Sequence, residues 1–314
     1  MQTKNQNPAQ HEWVPFLFGD GARILDIRYD PVFKGVFTRD TAKSRGALSD
    51  LISSLIGRTV TVEAVIANEP PVDDTRQRPL RFDVACKTGK GEPINVEMSF
   101  NPKAHEPVRL EYHAARLFVG QDIHGQDKTY KDLKETYQIA ILAKMKFFPD
   151  ENFAHNFQYY DPDNRVSLGG RTRIITVELV KTEPVVGKPV EEMTNAELWA
   201  VFFEYLTDEE KRDKIIQIIN REEGIAMAVE TLVNITQNEI EYARMCNLIK
   251  SQLDWNTDLF EARSEGLEEG LTKGREEGLE KGRIETASSL KALGVSADII
   301  IKSTGLSPEE IVKL

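Results

Sequence analysis

Apolar positions along this chain recur with two periods, and the changes from one to the other mark its elements. Asp30-Pro31-Val32-Phe33-Lys34-Gly35-Val36-Phe37 predicts a helix start, with Asp30 as N-cap, Pro31 at the first helical position, and Phe33 and Phe37 one turn apart. Leu48, Leu51, Ile52 and Leu55 share a helix face that Gly57 ends. Over Thr59–Ile66 the period falls to two, and Val60, Val62, Ala64 and Ile66 alternate as in a half-buried strand. Leu80–Ala85 and Ile94–Phe100 flank a turn rich in Gly, Lys and Thr, which predicts a hairpin. A helix over about 106–121 follows, with Leu110, Ala114 and Leu117 spaced for packing. Tyr137–Leu142, Phe153–Tyr160 and Arg173–Val180 then read as three more strands. This order suggests an α/β domain with a largely central sheet.

From about residue 190 the pattern is helical. Ala196–Leu206, Glu209–Asn220 and Gly224–Leu253 carry apolar residues at intervals of three and four. Between Arg263 and Arg283 glycine recurs every fourth residue, at Gly266, Gly270, Gly274, Gly278 and Gly282. The tail, Ala287–Leu314, reads as two short helices, with Gly294 as a stop and Ser307-Pro308-Glu309-Glu310 as a start. The expected divisions are a flexible N-terminal arm over 1–20, with Trp13, Phe16 and Phe18 as docking points, and an α/β domain over 21–189. A helical region over 190–260, a glycine ladder over 261–285 and a two-helix tail over 286–314 complete the chain.

Composition narrows the class. With 314 residues and 40% hydrophobic content, the chain can bury at least one full core. The net charge of -11 excludes a broadly basic nucleic-acid coat but leaves room for a local basic cleft. Cys86 and Cys246 are too few for a disulfide framework or a structural zinc site, and Cys86 reads as a small core residue. The N-terminus has no apolar leader and no run approaches a membrane span, so a cytoplasmic protein is expected.

The candidate chemistry lies in the hairpin. Asp83 sits between Phe82 and Val84, and Glu97 between Val96 and Met98. Acids are depleted from strand interiors because a desolvated carboxylate is costly unless paired. Two brought together on adjacent strands repel unless a cation lies between them, and hard oxygen ligands suit magnesium, manganese or calcium. The alternative is a pair of edge acids salt-bridged to Arg81 or Lys87. Asp30 has two readings, an ordinary N-cap or a third acid of a metal shell. Lys34 is either a phosphate contact or a solvated helix residue. Arg109 and Tyr112, three apart, share a helix face and either pack on the sheet or reach toward the acids and phosphate. None of the five histidines has metal-ligand spacing, and a surface role is expected for His105 and His113.

The set Asp30-x-x-Phe33-Lys34, Asp83 followed fourteen residues later by Glu97, Arg109-x-x-Tyr112, Gly125 and Tyr130 resembles the Rpn family. These are recombination-promoting nucleases, also described as PD-(D/E)XK family transposases. The resemblance continues through Tyr137–Leu142, Ile175–Lys181 and Trp199, and covers roughly residues 25–205. It implies a restriction-endonuclease-like (PD-(D/E)XK) core, a mixed central sheet flanked by helices, followed by a helical C-terminal region. It also implies DNA cleavage with a divalent ion, Mg2+ or alternatively Mn2+ or Ca2+, held by Asp83 and Glu97. Catalytic roles would fall to Asp83, Glu97, Ser99, Asp30 and Lys34, and DNA contacts to Arg109, Tyr112, Lys87 and Lys103. The family carries Lys or Gln two residues after the glutamate, whereas here that position is Ser99, shorter and uncharged. Lys87, Lys103 or Lys34 is left to supply the cation from another element. Two functions therefore stand: a DNA endonuclease promoting recombination or mobile-element transfer, or a catalytically inactive oligomeric DNA-binding or assembly protein with the same fold.

Five glycines within a helix cost roughly 5 kcal/mol against alanine, so the ladder needs support from elsewhere. Glycines four apart let backbones approach closely, and six Glu face five Lys and Arg between Arg263 and Arg283. Self-association of this segment into a homo-oligomer is one reading, and a flexible polar linker is the other. In the tail, Lys291, Lys302 and Lys313 are offset by Asp298, Glu309 and Glu310, which favours a small oligomerising or capping unit over a DNA-binding helix-turn-helix.

Overall fold

The structure, a computed structural model, describes residues 24–66, 83–123 and 128–314, with backbone alone for Glu239, residues 252–261 and Glu265. The N-terminal arm, Leu80–Phe82 and Gly125 lie outside the described residues.

Helix α1 (Asp30–Phe37) buries Val32, Phe33, Val36 and Phe37. Its start corrects one expectation. Tyr29 is the N-cap residue, and Asp30 stands inside the helix without a capping bond. The Asp30 carboxylate instead accepts from Lys34 Nζ at 3.0 Å, one turn on. With the helix already begun at Tyr29, the carboxylate lies past the cap position and pairs along the helix. Helix α2 (Ala42–Ile56) begins at Thr41, whose hydroxyl accepts from Ser44 N, and ends at Gly57 in the left-handed region, φ 79°.

Strand β1 (Val62–Val65) is shorter than its alternation predicts. Val60 and Val62 are buried, but Ala64 is exposed and Ile66 is 37% exposed. A register shift against the next strand falls between Val62 and Ala64, and one extra residue there turns the following side chains over. Strands β2 (Val84–Thr88) and β3 (Pro93–Ser99) form the expected antiparallel hairpin. Helix α3 (Glu106–Val119) crosses from β3 to β4 (Thr136–Leu142), which runs parallel to β3 with every residue buried. Strand β5 (Ala154–Phe157) ends earlier than expected, because Tyr160 belongs to a separate ribbon of β6 (Tyr160–Asp161) and β7 (Val166–Ser167). Strand β8 (Thr172–Glu178) lies parallel to β4 and antiparallel to β5. Among the described residues the main sheet is thus six-stranded and mixed, in the order β1-β2-β3-β4-β8-β5.

Helices α4 (Glu183–Val186), α5 (Asn195–Tyr205), α6 (Arg212–Arg221) and α7 (Glu223–Gln237) follow. Thr194 and Glu197 form a capping box on α5. The single helix expected over Gly224–Leu253 is two. Asn238 takes an extended conformation between α7 and α8 (Glu239–Ala292), and its Oδ1 accepts from Glu241 N at 3.1 Å. An asparagine that caps a new helix overrides continuous apolar spacing.

The sheet has two unlike faces. Val96, Met98, Ile139, Ile141, Ile175 and Val177 form one, packed in a single core with Phe33 and Phe37, Leu48, Trp199, Phe203 and Val229. Trp199 Nε1 donates to Asp50 Oδ2 at 2.7 Å, which satisfies the indole within that core. The opposite face carries Ala85, Asn95, Glu97, Gln138, Ala140 and Thr176. Helix α3 covers it, with Leu110 against Ala140 and Leu142, and Leu117 against Ala85.

The chain divides into two compact units, Met1–Ile249 and Lys250–Leu314. In the second, the last part of α8 packs with α9 (Ala297–Thr304) and α10 (Pro308–Lys313) around Ala287, Ile300, Leu306 and Ile311. Gly294 at φ 77° and the Ser307–Glu310 capping box stand where the sequence places a stop and a start. The glycine ladder is helical throughout, within α8.

Candidate active site

The hairpin register brings the two acids to the same end of the ladder. Val84 pairs with Val96 on the last rung of the ladder, and Asp83 stands just before that rung while Glu97 stands just after it, so both acids lie at the open end of the hairpin. The Glu97 side chain is 2% exposed. Arg109 Nη2 donates to its Oε1 at 2.7 Å, and His113 Nδ1 lies 3.2 Å from Oε2. Asn95, two residues earlier on the same strand face, places Nδ2 3.5 Å from Oε2 and donates to Gln138 Oε1 at 3.0 Å. Arg109 is held in turn by Glu106, one turn back on α3.

Asp83 is held from another layer. Lys34 Nζ lies 3.0 Å from Asp83 Oδ1 and 3.0 Å from Asp30 Oδ2. Asp30 Oδ1 is buried with no hydrogen-bond partner among the described residues. The site thus concentrates Asp30, Asp83, Glu97 and Glu106 around Lys34 and Arg109.

That surplus of negative charge has a measurable consequence. Burial, with the neighbouring charges of Asp30 and Glu97, pushes the Asp83 carboxyl up to about 8, against the pull of Lys34. One ammonium shared between two carboxylates does not offset both. Burial would lower the Lys34 ammonium, but Asp83 and Asp30 outweigh it and hold it above its ordinary value. Arg109 is likewise raised: burial opposes this, and Glu97, Glu106 and Asp83 prevail.

The other residues singled out in the sequence are dispersed around this centre. Ser99 continues the strand face of Glu97, half-buried and in register with Leu142. Lys87 is exposed near the hairpin turn, in register with Pro93 at the opposite end of the ladder from Asp83. Lys103 is exposed in the segment leading to α3, and Tyr112 on α3 is 54% exposed. Arg81 lies outside the described residues.

Residues 27–262 match the family model described as PD-(D/E)XK nuclease family transposase. This chain belongs to that family. No curated protein and no solved structure matches it. The mixed six-stranded sheet flanked by helices is consistent with a PD-(D/E)XK α/β fold, and the match runs past Trp199 into the helices beyond. Membership points to a nuclease or transposase-like function, and a nuclease implies DNA as substrate. PD-(D/E)XK nucleases generally use divalent metals. In this PD-(D/E)XK chain the donor set suits a hard cation, since it is all carboxylate oxygen, carries excess negative charge, and leaves Asp30 Oδ1 orphaned. Among the described residues, no three His, Cys, Asp or Glu side chains are gathered as a ready-made metal site. Nor is any helix among them long and apolar enough to cross a membrane.

Sequence reasoning missed His113, which is 4% exposed against Glu97 and not at the surface. The signal was available: His113 follows Arg109 by four residues and so shares its face more closely than Tyr112's own neighbours suggest. Asn95 and Gln138 gave less warning, as a neutral amide within a strand marks no particular chemistry.

Proposed function

We propose that this protein is a divalent-metal-dependent DNA endonuclease that hydrolyses phosphodiester bonds. The observation that carries the proposal is the pair of interacting acids at the open end of the hairpin, Asp83 held by Lys34 and Glu97 held by Arg109. Asp83 and Glu97 would hold the ion, and carboxylate oxygens favour Mg2+, Mn2+ or Ca2+. When bound, such an ion supplies an activated water and offsets charge on the phosphate.

The chain's own groups do the rest. Lys34 presents an ammonium beside Asp83 and takes the part that Ser99 cannot: it donates to a phosphate oxygen as charge builds there. Arg109 and His113 grip the two oxygens of Glu97 separately and so fix the carboxylate's plane. Ser99 adds a hydroxyl on the same strand face. Tyr112, Lys103 and Lys87 serve as backbone contacts for DNA entering over α3 and the hairpin.

A homo-oligomer supplies one site per strand of a duplex. The ladder in α8 is its proposed contact, because among the described residues nothing outside the helix's own backbone stands within 4 Å of where a Cβ would sit on any of its five glycines, and Leu267, Leu271 and Leu279 beside them are exposed. Promotion of recombination or mobile-element transfer follows from that paired cleavage.

Nicking of supercoiled plasmid with Mg2+ or Mn2+ tests the reading. Wild type converts the plasmid, and Asp83→Ala and Glu97→Ala each lose the activity. Equal conversion by all three proteins removes the nuclease reading. Ser99 favours a second reading, a DNA-binding protein without chemistry. Under it wild type is inert, and Ser99→Lys gains cleavage.

A further inference from the structure

Beside the acidic pair, a cavity of about 240 Å³ opens between α3 and the far strands of the sheet. Leu110 and Ile174 contribute apolar surface to it, and Phe147, Phe157 and Tyr159 line it with aromatic rings. Two of these rings are open to solvent, Phe157 at 40% and Tyr159 at 53% exposed. Thr176 also lines the cavity. Its side chain is buried, and its Oγ1 has no hydrogen-bond partner among the described residues. An aromatic cleft that keeps a buried hydroxyl waiting for a partner is built for a flat ring with polar edges.

Its position relative to the acids decides which ring. Thr176 pairs in register with Ala140, and Ala140 with Glu97, so Thr176 and Glu97 stand on one rung of the sheet, on the same face. Two strand spacings separate them, about 10 Å. Glu106 lines the cavity and also holds Arg109, which holds Glu97. The cavity and the acidic pair therefore share a wall. Glu106 is offset by Arg109, but Glu111 brings negative charge to that wall, which disfavours a phosphate inside and favours an uncharged ring carrying amino donors.

We propose that this cavity takes an unpaired nucleobase of the strand whose phosphate lies at Asp83 and Glu97. The proposal rests on the nuclease reading for what lies at the acids, and it names the preferred substrate: DNA with a bulged, flapped or extruded nucleotide next to the cleaved bond. A base inside a duplex cannot enter, whereas an unstacked one exchanges its neighbours for aromatic side chains. Phe157 and Tyr159 supply the stacking surface. Thr176 binds an edge of the ring.

The test uses the full chain and duplexes carrying 2-aminopurine, either in a one-nucleotide bulge or fully paired, without divalent ions so that no cleavage intervenes. Wild type binds the bulged duplex about tenfold more tightly than the paired one, with a fluorescence change on binding. Phe157→Ala and Tyr159→Ala abolish that preference and leave paired-duplex affinity unchanged. Thr176→Val, which keeps the volume, weakens bulge binding several-fold. Equal affinity for both duplexes, or a preference that survives both aromatic substitutions, overturns the proposal whether or not plasmid is nicked. A bulge preference that depends on Phe157 in a protein that cleaves nothing upholds the cavity's role and removes the nuclease reading alone.

Discussion

Lys34 places its ammonium 3.0 Å from Asp83, and through that contact a helix on the core side of the sheet reaches the mouth of the hairpin. On the proposed reading, this contact delivers from α1 the cation that the strand lacks at Ser99.

Removal of that cation is the first prediction. Lys34→Met lowers plasmid nicking roughly 100-fold, the usual cost of one donor aimed at developing charge. Ser99→Lys added to Lys34→Met recovers part of the loss, since it returns an ammonium to the strand. Initial rates of nicking at saturating Mg2+ measure both. A double variant no better than Lys34→Met alone would show that the two positions are not equivalent.

The second concerns pH and stability. The Asp83 carboxyl titrates near 8 in the folded protein, above its ordinary value. From about pH 4 to 8 the unfolded chain has therefore released a proton that the folded chain retains, and stability falls as pH rises, by at most about 1.4 kcal/mol per unit. Asp83→Asn cannot ionise and escapes this loss. Its melting temperature should exceed that of wild type by more at pH 8 than at pH 5, and a constant difference would contradict the assignment.

Arg109 gives the third. Arg109→Ala leaves Glu97 and Glu106 buried without their guanidinium. A fully buried broken pair costs 3–5 kcal/mol, but Arg109 still reaches solvent, so about 2 kcal/mol is expected in urea denaturation. Arg109→Lys should restore the charge but not both contacts, and should fall between the two.

The ladder gives the fourth, with effects of opposite sign. Alanine at Gly270 and Gly274 meets nothing within 4 Å in the single chain. Helix propensity should then stabilise α8 by about 1 kcal/mol per site. Close backbone contact between copies would be lost at once. Sedimentation equilibrium should show dissociation while helicity by circular dichroism is kept or rises, and unchanged assembly would discard the ladder as the contact.

How far the sequence carried the fold follows from what local patterns contain. The hairpin, α2, α3 and the tail caps were legible, because each is fixed by spacing and by residues such as Gly57 and Ser307 that act within one turn. The bulge in β1 was not, since alternation says which face a residue takes only while the partner strand stays in register. The break at Asn238 was masked by apolar residues that keep helical spacing on both sides. At the site, Asp83 and Glu97 announced themselves as acids among apolar neighbours. Asp30 left two readings open, because an Asp-Pro helix start also explains itself locally. Its contact with Lys34, which also reaches Asp83, sets the cap reading aside.

The acids are flanked from both sides of the sheet: α1 packs in the large core and sends Asp30 and Lys34 to Asp83, while α3 lies over the other face and sends Arg109 and His113 to Glu97. A chain in which either layer is undocked leaves bare like charges at the strand ends and no group to receive a phosphate. Under the nuclease reading, scission and complete folding are coupled, because both layers must be in place before the acids have their partners. A truncation starting beyond Phe37 should accordingly cut nothing, even where its hairpin still forms.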